Sequence, residues 1–509
     1  HPFIGDMGEV LIFDRALTAA ERSQVDAYLA GVWGTPYGIL MSPAAGHSIT
    51  WNGVSGPQTA AGAVPDNLAL RPEVTAFGSS EHPSSSHKID HINDGMYGNN
   101  NSWLANFDVD NNPYIGLDLG GRTMIDGIAW GRSNTLSHPD RWAGTYTLQY
   151  TQVASRDMDT LTETGDPRTG WANMGDVTLG SHLGATNGPL RHQFDLSALV
   201  ATGVRIRPSS NELAIDELEL YGAASYPEAV LHHQARGYWK LDDPSTGTAA
   251  VNSGLAGNSL DAGFFANRTS PVAVNKVDAT GLVHGATGPA GAAYFNGTAD
   301  DAETHWAQGS GINTASSTGG NVFANEWTIE TWFERDAITS GAGIFSQHTE
   351  IGTSQGLSFG APLLTFGLAG ANENRLGIMD AGRSWTGVFL DLGLDHLNKE
   401  VYAVMTKTGA NTISLYAKIE GEDTWRTTSG TIGWALNTSL DEYLIGRHYL
   451  ADDGHAFSGT IDDLAIYDFA LTFDVIQSHY AMGVPEPSSL LLLALALVGL
   501  AHVRRRTRR

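Results

Sequence analysis

Short runs of alternating apolar and polar residues, each closed by Gly, Pro, Asn or Asp, recur through most of this chain. They predict strands at Tyr114–Leu119, Met124–Trp130, Thr145–Tyr150, Val204–Arg207 and Ala214–Tyr221. Further strands are expected at Gly237–Asp242, Ala293–Gly297, Trp327–Phe333 and Gly459–Asp468. Helical spacing is confined to short stretches, such as Ala19–Leu29 with Val25, Tyr28 and Leu29 on one side. Residues 34–66 carry Gly, Pro, Ala and Ser without sustained periodicity and read as a linker with room for a short strand or two. A different pattern closes the chain: from Leu490 to Val503 only Gly499 and His502 interrupt an apolar run, and Arg504, Arg505, Arg506, Arg508 and Arg509 follow. An apolar helix ahead of a basic cluster predicts a membrane segment whose C-terminus stays inside. The run is shorter than the roughly 20 residues of a comfortable span, which suits a transient or sorting anchor.

The strand pattern repeats. Gly5-Asp6-Met7-Gly8-Glu9-Val10-Leu11-Ile12-Phe13-Asp14-Arg15-Ala16-Leu17-Thr18 aligns without a gap on Gly459-Thr460-Ile461-Asp462-Asp463-Leu464-Ala465-Ile466-Tyr467-Asp468-Phe469-Ala470-Leu471-Thr472. Each copy reads as a strand, a turn and a short helix opened by Thr18 or Thr472 as N-cap. Two copies of one domain ending are therefore expected, the first retaining only its last strand and helix. With His1 in place of a leader, the chain reads as the C-terminal part of a longer exported protein.

Composition narrows the class. With 509 residues, 60 Gly and 17% charged residues, the chain fits several folded, turn-rich domains. A net charge of −26 repels phosphate backbones and excludes nucleic acid as a partner, while suiting export and capture of divalent cations. The absence of Cys removes disulfides, thiol nucleophiles and Cys-based metal sites.

Three resemblances follow from particular residues. Val484-Pro485-Glu486-Pro487, the apolar run and the arginines resemble the bacterial PEP-CTERM sorting signal. That resemblance implies export, recognition of Pro485-Glu486-Pro487 by an exosortase-type enzyme, removal of the tail, and delivery to the cell surface or matrix. Seven segments lie in the order found in discoidin (F5/8 type C) modules. They are Asn67-Leu68-Ala69 with Val74-Thr75-Ala76, Asn93-Asp94-Gly95, Ser102-Trp103, Ile115–Gly120, Tyr146–Tyr150 and Ala214–Gly222. Gly237–Asp242, Ala293–Gly297, Trp327–Phe333 and Gly459–Asp468 resemble the LamG-like jelly roll of the concanavalin A-like lectin/glucanase superfamily.

Candidate chemistry concentrates in the discoidin-like stretch. Ca²⁺ requires six to eight hard oxygens, and the Asn93-Asp94-Gly95 turn with Asn99, Asn100, Asn101 and Ser102 supplies such atoms. The resemblance places Asp94 and Glu217 as the two acids that clamp a structural calcium. Sugar binding needs aromatic platforms and polar side chains on loops. The loops that face ligand in discoidin modules here carry His82, His87, Trp103, Asn106, Arg132, Asn134, His138, Arg141 and Trp142. Arg132, Asn134, His138, Arg141 and Trp142 are the ligand-binding candidates. Trp103 reads better as core.

Glycosidase chemistry is not expected. A retaining pair sits about 5–5.5 Å apart, whereas Glu326, Glu330 and Glu334 are spaced four apart on one strand, roughly 13 Å at 3.3 Å per residue. Alternation puts Glu330 on a solvated or concave face. Asp462, Asp463 and Asp468 read as residues that shape turns around the last strand. His232-His233 is the one adjacent histidine pair, and on a strand its rings face opposite ways.

The expected protein is all-β: tandem β-sandwich or jelly-roll domains with a C-terminal transmembrane sorting helix. Its parts are a jelly-roll remnant (1–33), a linker (34–66), a discoidin-like sandwich (67–222), a linker (223–229), a LamG-like jelly roll (230–483) and the sorting signal (484–509). Surface or matrix glycans, an exosortase-type enzyme and the membrane are its expected partners, and no catalysis is expected. A structural matrix protein with lectin folds as spacers, or an accessory region of a larger enzyme, would carry the same sequence.

Overall fold

The computed structural model describes residues 38–54, 67–133, 136–153, 157–266, 272–285, 288–297, 306–339, 341–348, 363–366, 373–378, 388–409, 411–433, 441–447 and 456–484. These form two compact units divided between Ala224 and Ser225. The first copy of the repeat, Asn134, and Pro485 onward, including Leu490, Val503, Arg504, Arg505 and Arg506, lie outside the described residues. Among the described residues no helix is long and apolar enough to cross a membrane.

The first unit is built on β1 (Ile39–Pro43), β2 (Ile49–Val54), β3 (Thr75–Gly78), β4 (Trp103–Leu104), β5 (Ile115–Gly131), β6 (Gly144–Thr151), β7 (Ala172–Leu179), β8 (His192–Pro208), β9 (Ala214–Ile215) and β10 (Glu217–Ala223). The strands expected at 114–119 and 124–130 are halves of β5, which runs through an irregularity between Asp118 and Thr123. The first half pairs with β3 and with Gly203–Ile206 of β8; the second pairs with β10 and with His192–Ala201. The long strands thus cross from one layer of the sandwich to the other. The core between the layers includes Leu117, Ile128, Trp130, Leu148, Val177, Phe194, Val204 and Leu218.

Two boundaries differ from expectation. The presumed linker contributes β1, which pairs with β7, and β2, which pairs with β8. Their partners lie more than a hundred residues away, so local periodicity could not reveal them. Residues 226–229, read as a second linker, open a helix (Tyr226–His232) capped by Ser225, whose Tyr226, Ala229 and Val230 are buried. Burial of those side chains makes the segment part of the second unit.

The second unit stacks two antiparallel sheets. One has the order Val277–Gly285, Gly288–Phe295, Gly459–Tyr467, Trp327–Arg335, Glu400–Thr408, Thr412–Ile419 and Arg426–Thr431, with Gly237–Trp239 also on Gly459–Tyr467. The other is led by Ala262–Ala266, Trp306–Gly309, Glu442–Ile445 and Gly343–His348. Trp239, Phe264, Phe295, Trp327, Ile329, Phe333, Phe345 and Leu415 fill the space between them. Gly459–Tyr467 is followed by Thr472, which accepts from the Val475 N–H and caps the helix Phe473–Gly483, as the repeat predicts. Val484 closes that helix, donating to the Tyr480 carbonyl at 3.1 Å.

That helix and Tyr226–His232 overturn the surface assignment of Glu330. Trp327, Ile329 and Phe333 enter the core between the sheets, while Trp332, on the opposite face with Glu330, stacks on Tyr480 at 5.6 Å between ring centres. Both faces of the strand are covered, so Glu330 is fully buried. It accepts from Tyr467 at 2.8 Å, Tyr402 at 2.9 Å and Tyr226 at 3.2 Å, and His479 Nδ1 lies 3.1 Å from each carboxylate oxygen. His233, at a helix end and not on a strand, places Nδ1 2.9 Å from His479 Nε2. Asp462 and Asp463 are also buried within their strand, not in its turns: Asp462 accepts from the Leu282 and Val283 amides, and Asp463 from Tyr238.

Candidate functional site

One end of the first unit gathers the loops after β3, β4, β5 and β8. The short 3-10 turn Ile89–Asn93 delivers Asp94 to this end, and Asn93 Nδ2 anchors it to the Ala69 carbonyl at 3.1 Å. Asp94 Oδ1 accepts from the Met96 N–H at 2.8 Å and Oδ2 from Asn101 Nδ2 at 2.9 Å. Gly95 turns the chain with φ of +79°, a conformation that favours glycine. Its N–H donates to Glu217 Oε1 at 3.3 Å. Glu217 is wholly buried, and its Oε2 has no hydrogen-bond partner among the described residues. Burial, then the neighbouring Asp94 carboxylate, push Glu217 up to about 10. Two facing acids with an unmatched buried oxygen need a cation or a proton between them. The donor set, carboxylates in a turn rich in amide and carbonyl oxygens, suits Ca²⁺.

The adjoining acids of β10 and its entry brace the same loop. Asp216 accepts from the Gly98 N–H at 2.8 Å and from Arg132 at 3.0 Å, and Arg132 also donates to Asn99 Oδ1 at 2.7 Å. Burial pushes Asp216 up to about 7, opposed by Arg132. Arg191 grips Glu219 through Nε and Nη2, and Tyr97 donates to Glu219 at 2.8 Å.

The ligand-binding candidates separate by burial. Arg132 is 3% exposed and held by Asp216 and Asn99, so it positions loops and presents nothing to solvent. Trp142 is 6% exposed, donates to the Pro139 carbonyl, and packs so closely on Gly188 that a Cβ there would meet its ring at 2.2 Å. Trp103 is buried and donates to the Ser80 carbonyl at 2.9 Å. His138 is exposed, and Arg141 is partly so, its guanidinium 5.2 Å from the Phe107 ring centre. The Phe107 ring also lies 5.0 Å from His82, which makes an edge contact with His87 at 5.5 Å. Burial and nearby cations lower His87 to about 4, leaving it neutral at physiological pH.

The open part of this end is therefore His82, His87, Phe107, His138 and Arg141. Sequence reasoning missed Phe107, although an aromatic inside the polar stretch Asn106-Phe107-Asp108-Val109-Asp110 was the available signal.

The first unit is thus a sandwich with ring-bearing loops at one end, and the second, further along the chain, stacks two antiparallel sheets. Residues 307–477 match the family described as the concanavalin A-like lectin/glucanases superfamily. Residues 483–506 match the PEP-CTERM protein-sorting motif, which marks an exported protein sorted to the cell surface or membrane. No curated protein matches the chain. Among solved structures, the chain is similar to CpGH89CBM32-5 from Clostridium perfringens in complex with GalNAc-β-1,3-galactose. There the identity is 16% and the TM-score 0.24, over 31% of this chain and 100% of that one. A Ruminococcus gnavus GH29 fucosidase in complex with fucose shows 16% identity and a TM-score of 0.23, over 31% of this chain and 26% of that one. Chitosan-binding module 1 of a Paenibacillus sp. IK-5 chitosanase/glucanase shows 21% identity and a TM-score of 0.21, over 31% and 98% respectively.

Proposed function

We propose that this chain is an exported bacterial surface or matrix protein that binds glycan through the loop end of its first unit and catalyses nothing. The observation that carries the reading is the open group His82, His87, Phe107 and Arg141, with His138 exposed on the same loop as Arg141, on loops that buried ion pairs brace. Aromatic faces stack on the CH faces of a sugar, and histidine and arginine donate to its hydroxyls. In this reading Asp94 and Glu217 hold a structural Ca²⁺ that locks the loop beside them. An exosortase-type enzyme recognises Pro485-Glu486-Pro487 and removes the tail, with the apolar segment as membrane anchor until then.

The test is a glycan-array screen of the full chain with calcium and with chelator. Selective retention that weakens on chelation is the expected result. Absence of retention in both conditions would leave the second reading, a structural matrix protein, which the burial of Arg132 and Trp142 already favours over a larger sugar face. For sorting, Glu486→Ala in the source cell should leave the tail attached, read as intact mass; normal processing would exclude the motif's assigned role.

A further inference from the structure

The first unit carries a second recess, lined by residues other than the open group just described. Along β6 the chain runs from Gly144, beside Trp142, to Tyr150, six residues or about 20 Å away at roughly 3.3 Å per residue. At that far end a cavity of about 370 Å³ is lined by residues that include His47, Tyr150, Glu163, Trp171 and Asn173. Its size falls at the small end of the roughly 300–1,000 Å³ usual for ligand pockets.

The walls are built rather than accidental. In the loop between β6 and β7, the Pro167 carbonyl accepts from the Gln152 N–H at 2.7 Å and from Thr151 Oγ1 at 3.2 Å. The Trp171 N–H donates to the Thr162 carbonyl at 2.9 Å, and the Trp171 carbonyl accepts from the Thr164 and Gly165 amides. Opposite, the turn between β1 and β2 is tied down by Ala44 N–H to the Met174 carbonyl at 2.9 Å and His47 N–H to the Ala44 carbonyl at 3.0 Å.

The polar groups suit a ligand that both donates and accepts. Arg205 and Arg207 both reach Glu163 Oε1, and no hydrogen bond among the described residues occupies Oε2. The two guanidiniums more than offset the carboxylate charge, and Oε2 keeps its acceptor capacity among the described residues. Asn173 spends its carbonyl oxygen on Gln149 Nε2 at 2.6 Å, which leaves its amide hydrogens as donors. Trp171 is fully buried, and its Nε1 has no partner among the described residues. Tyr150 and His47 meet edge to face at 5.5 Å, giving an aromatic wall. A cation would find the carboxylate already neutralised. An anion would find Arg205 engaged with Glu163 and flanked by the Trp171 and Tyr114 rings at 4.4 and 4.9 Å.

We propose that this recess is a second glycan site that takes one neutral, pyranose-sized unit. It rests on the reading of the first unit as a carbohydrate-binding module and extends it. Two separate sites on one sandwich let a single chain bridge two glycan strands.

The test uses the full chain and a panel of neutral methyl glycosides (glucoside, galactoside, mannoside and N-acetylglucosaminide), read by saturation-transfer NMR and calorimetry. Five forms are compared: the parent, Arg141→Ala at the loop end, Ala45→Trp to fill the recess from an exposed turn, Asn173→Ala to remove a donor from an exposed strand end, and the double variant Arg141→Ala with Ala45→Trp. The recess is supported if Arg141→Ala still binds a panel sugar and adding Ala45→Trp weakens that binding by about tenfold or more, with Asn173→Ala weakening it less and melting temperatures kept. Loss on Arg141→Ala alone, with both recess variants behaving as parent, overturns the recess and leaves the module reading standing. Absence of binding by the parent overturns both.

Discussion

Glu217 in the first unit and Glu330 in the second are both completely buried, and the two live in opposite electrostatic worlds. Glu217 of the first unit keeps one carboxylate oxygen without a partner, faces Asp94, and is pushed up to about 10. Glu330 of the second unit is equally buried, and burial acts to raise it. The His479 imidazole and the hydroxyls of Tyr467 and Tyr402 outweigh that and hold it below its ordinary value. Burial alone therefore does not identify a functional acid. A buried acid with a full set of donors is a structural post; a buried acid short of donors beside a second acid calls for a proton or a cation.

The sharpest way to break this contrast is to remove the post. Glu330→Leu leaves three tyrosine hydroxyls and His479 facing an apolar side chain. A loss of about 3–5 kcal/mol from the second unit is expected in urea denaturation. An unchanged midpoint would show that the network contributes nothing.

A smaller effect is expected at His396, a buried group of the second unit with too few partners. Its Nδ1 meets the Gly393 carbonyl at 2.6 Å, Nε2 has no partner among the described residues, and burial lowers it to about 4. Its folded value lies below the ordinary 6.5. The unfolded chain therefore binds more protons between those limits, and stability falls as pH drops from about 6.5 towards 4. The contribution is at most roughly 3 kcal/mol. His396→Phe, which keeps the stacking on Phe366, should flatten that part of the stability–pH curve. A curve that still falls as steeply would assign the acid sensitivity elsewhere.

At the first unit, the contrast predicts that calcium raises the melting transition, by about 2.7 kcal/mol at a hundredfold excess over Kd. Asp94→Ala and Glu217→Gln should each abolish the heat of calcium binding in calorimetry. An isotherm like the parent's would remove both residues from the site. The smallest effect is expected for Arg141→Ala, about 1 kcal/mol of glycan affinity, because its guanidinium is only partly exposed.

Much of this was legible in the sequence. Alternation within 145–150 and 204–207, and the repeated ending 459–472, gave strands and a capped helix where the structure has them, because those signals are local. The discoidin resemblance pointed to the Asp94 turn and to Glu217, far apart in the chain, and the structure brings the Gly95 N–H to Glu217. What failed did so through distant partners. Val74-Thr75-Ala76 entered through the discoidin resemblance, whereas Ile39–Pro43 was reached by neither resemblance nor pattern, since its strand character rests on pairing with Ala172–Leu179. Arg132 and Trp142 have the chemistry of sugar ligands, but Asp216 and the contact with Gly188 draw them inside.

By itself, the sequence determined the all-β class, the two-sandwich order, the acidic surface and the sorting motif, because turn chemistry, period-two alternation, charge and short linear motifs need no partner. Tertiary structure alone decided which polar side chains are buried, which buried acid is satisfied, and which aromatic residues meet at an open end. Burial and hydrogen-bond saturation are properties of neighbours in space. Here, as with Glu330 beneath two helices, those neighbours come from segments about a hundred residues away or more.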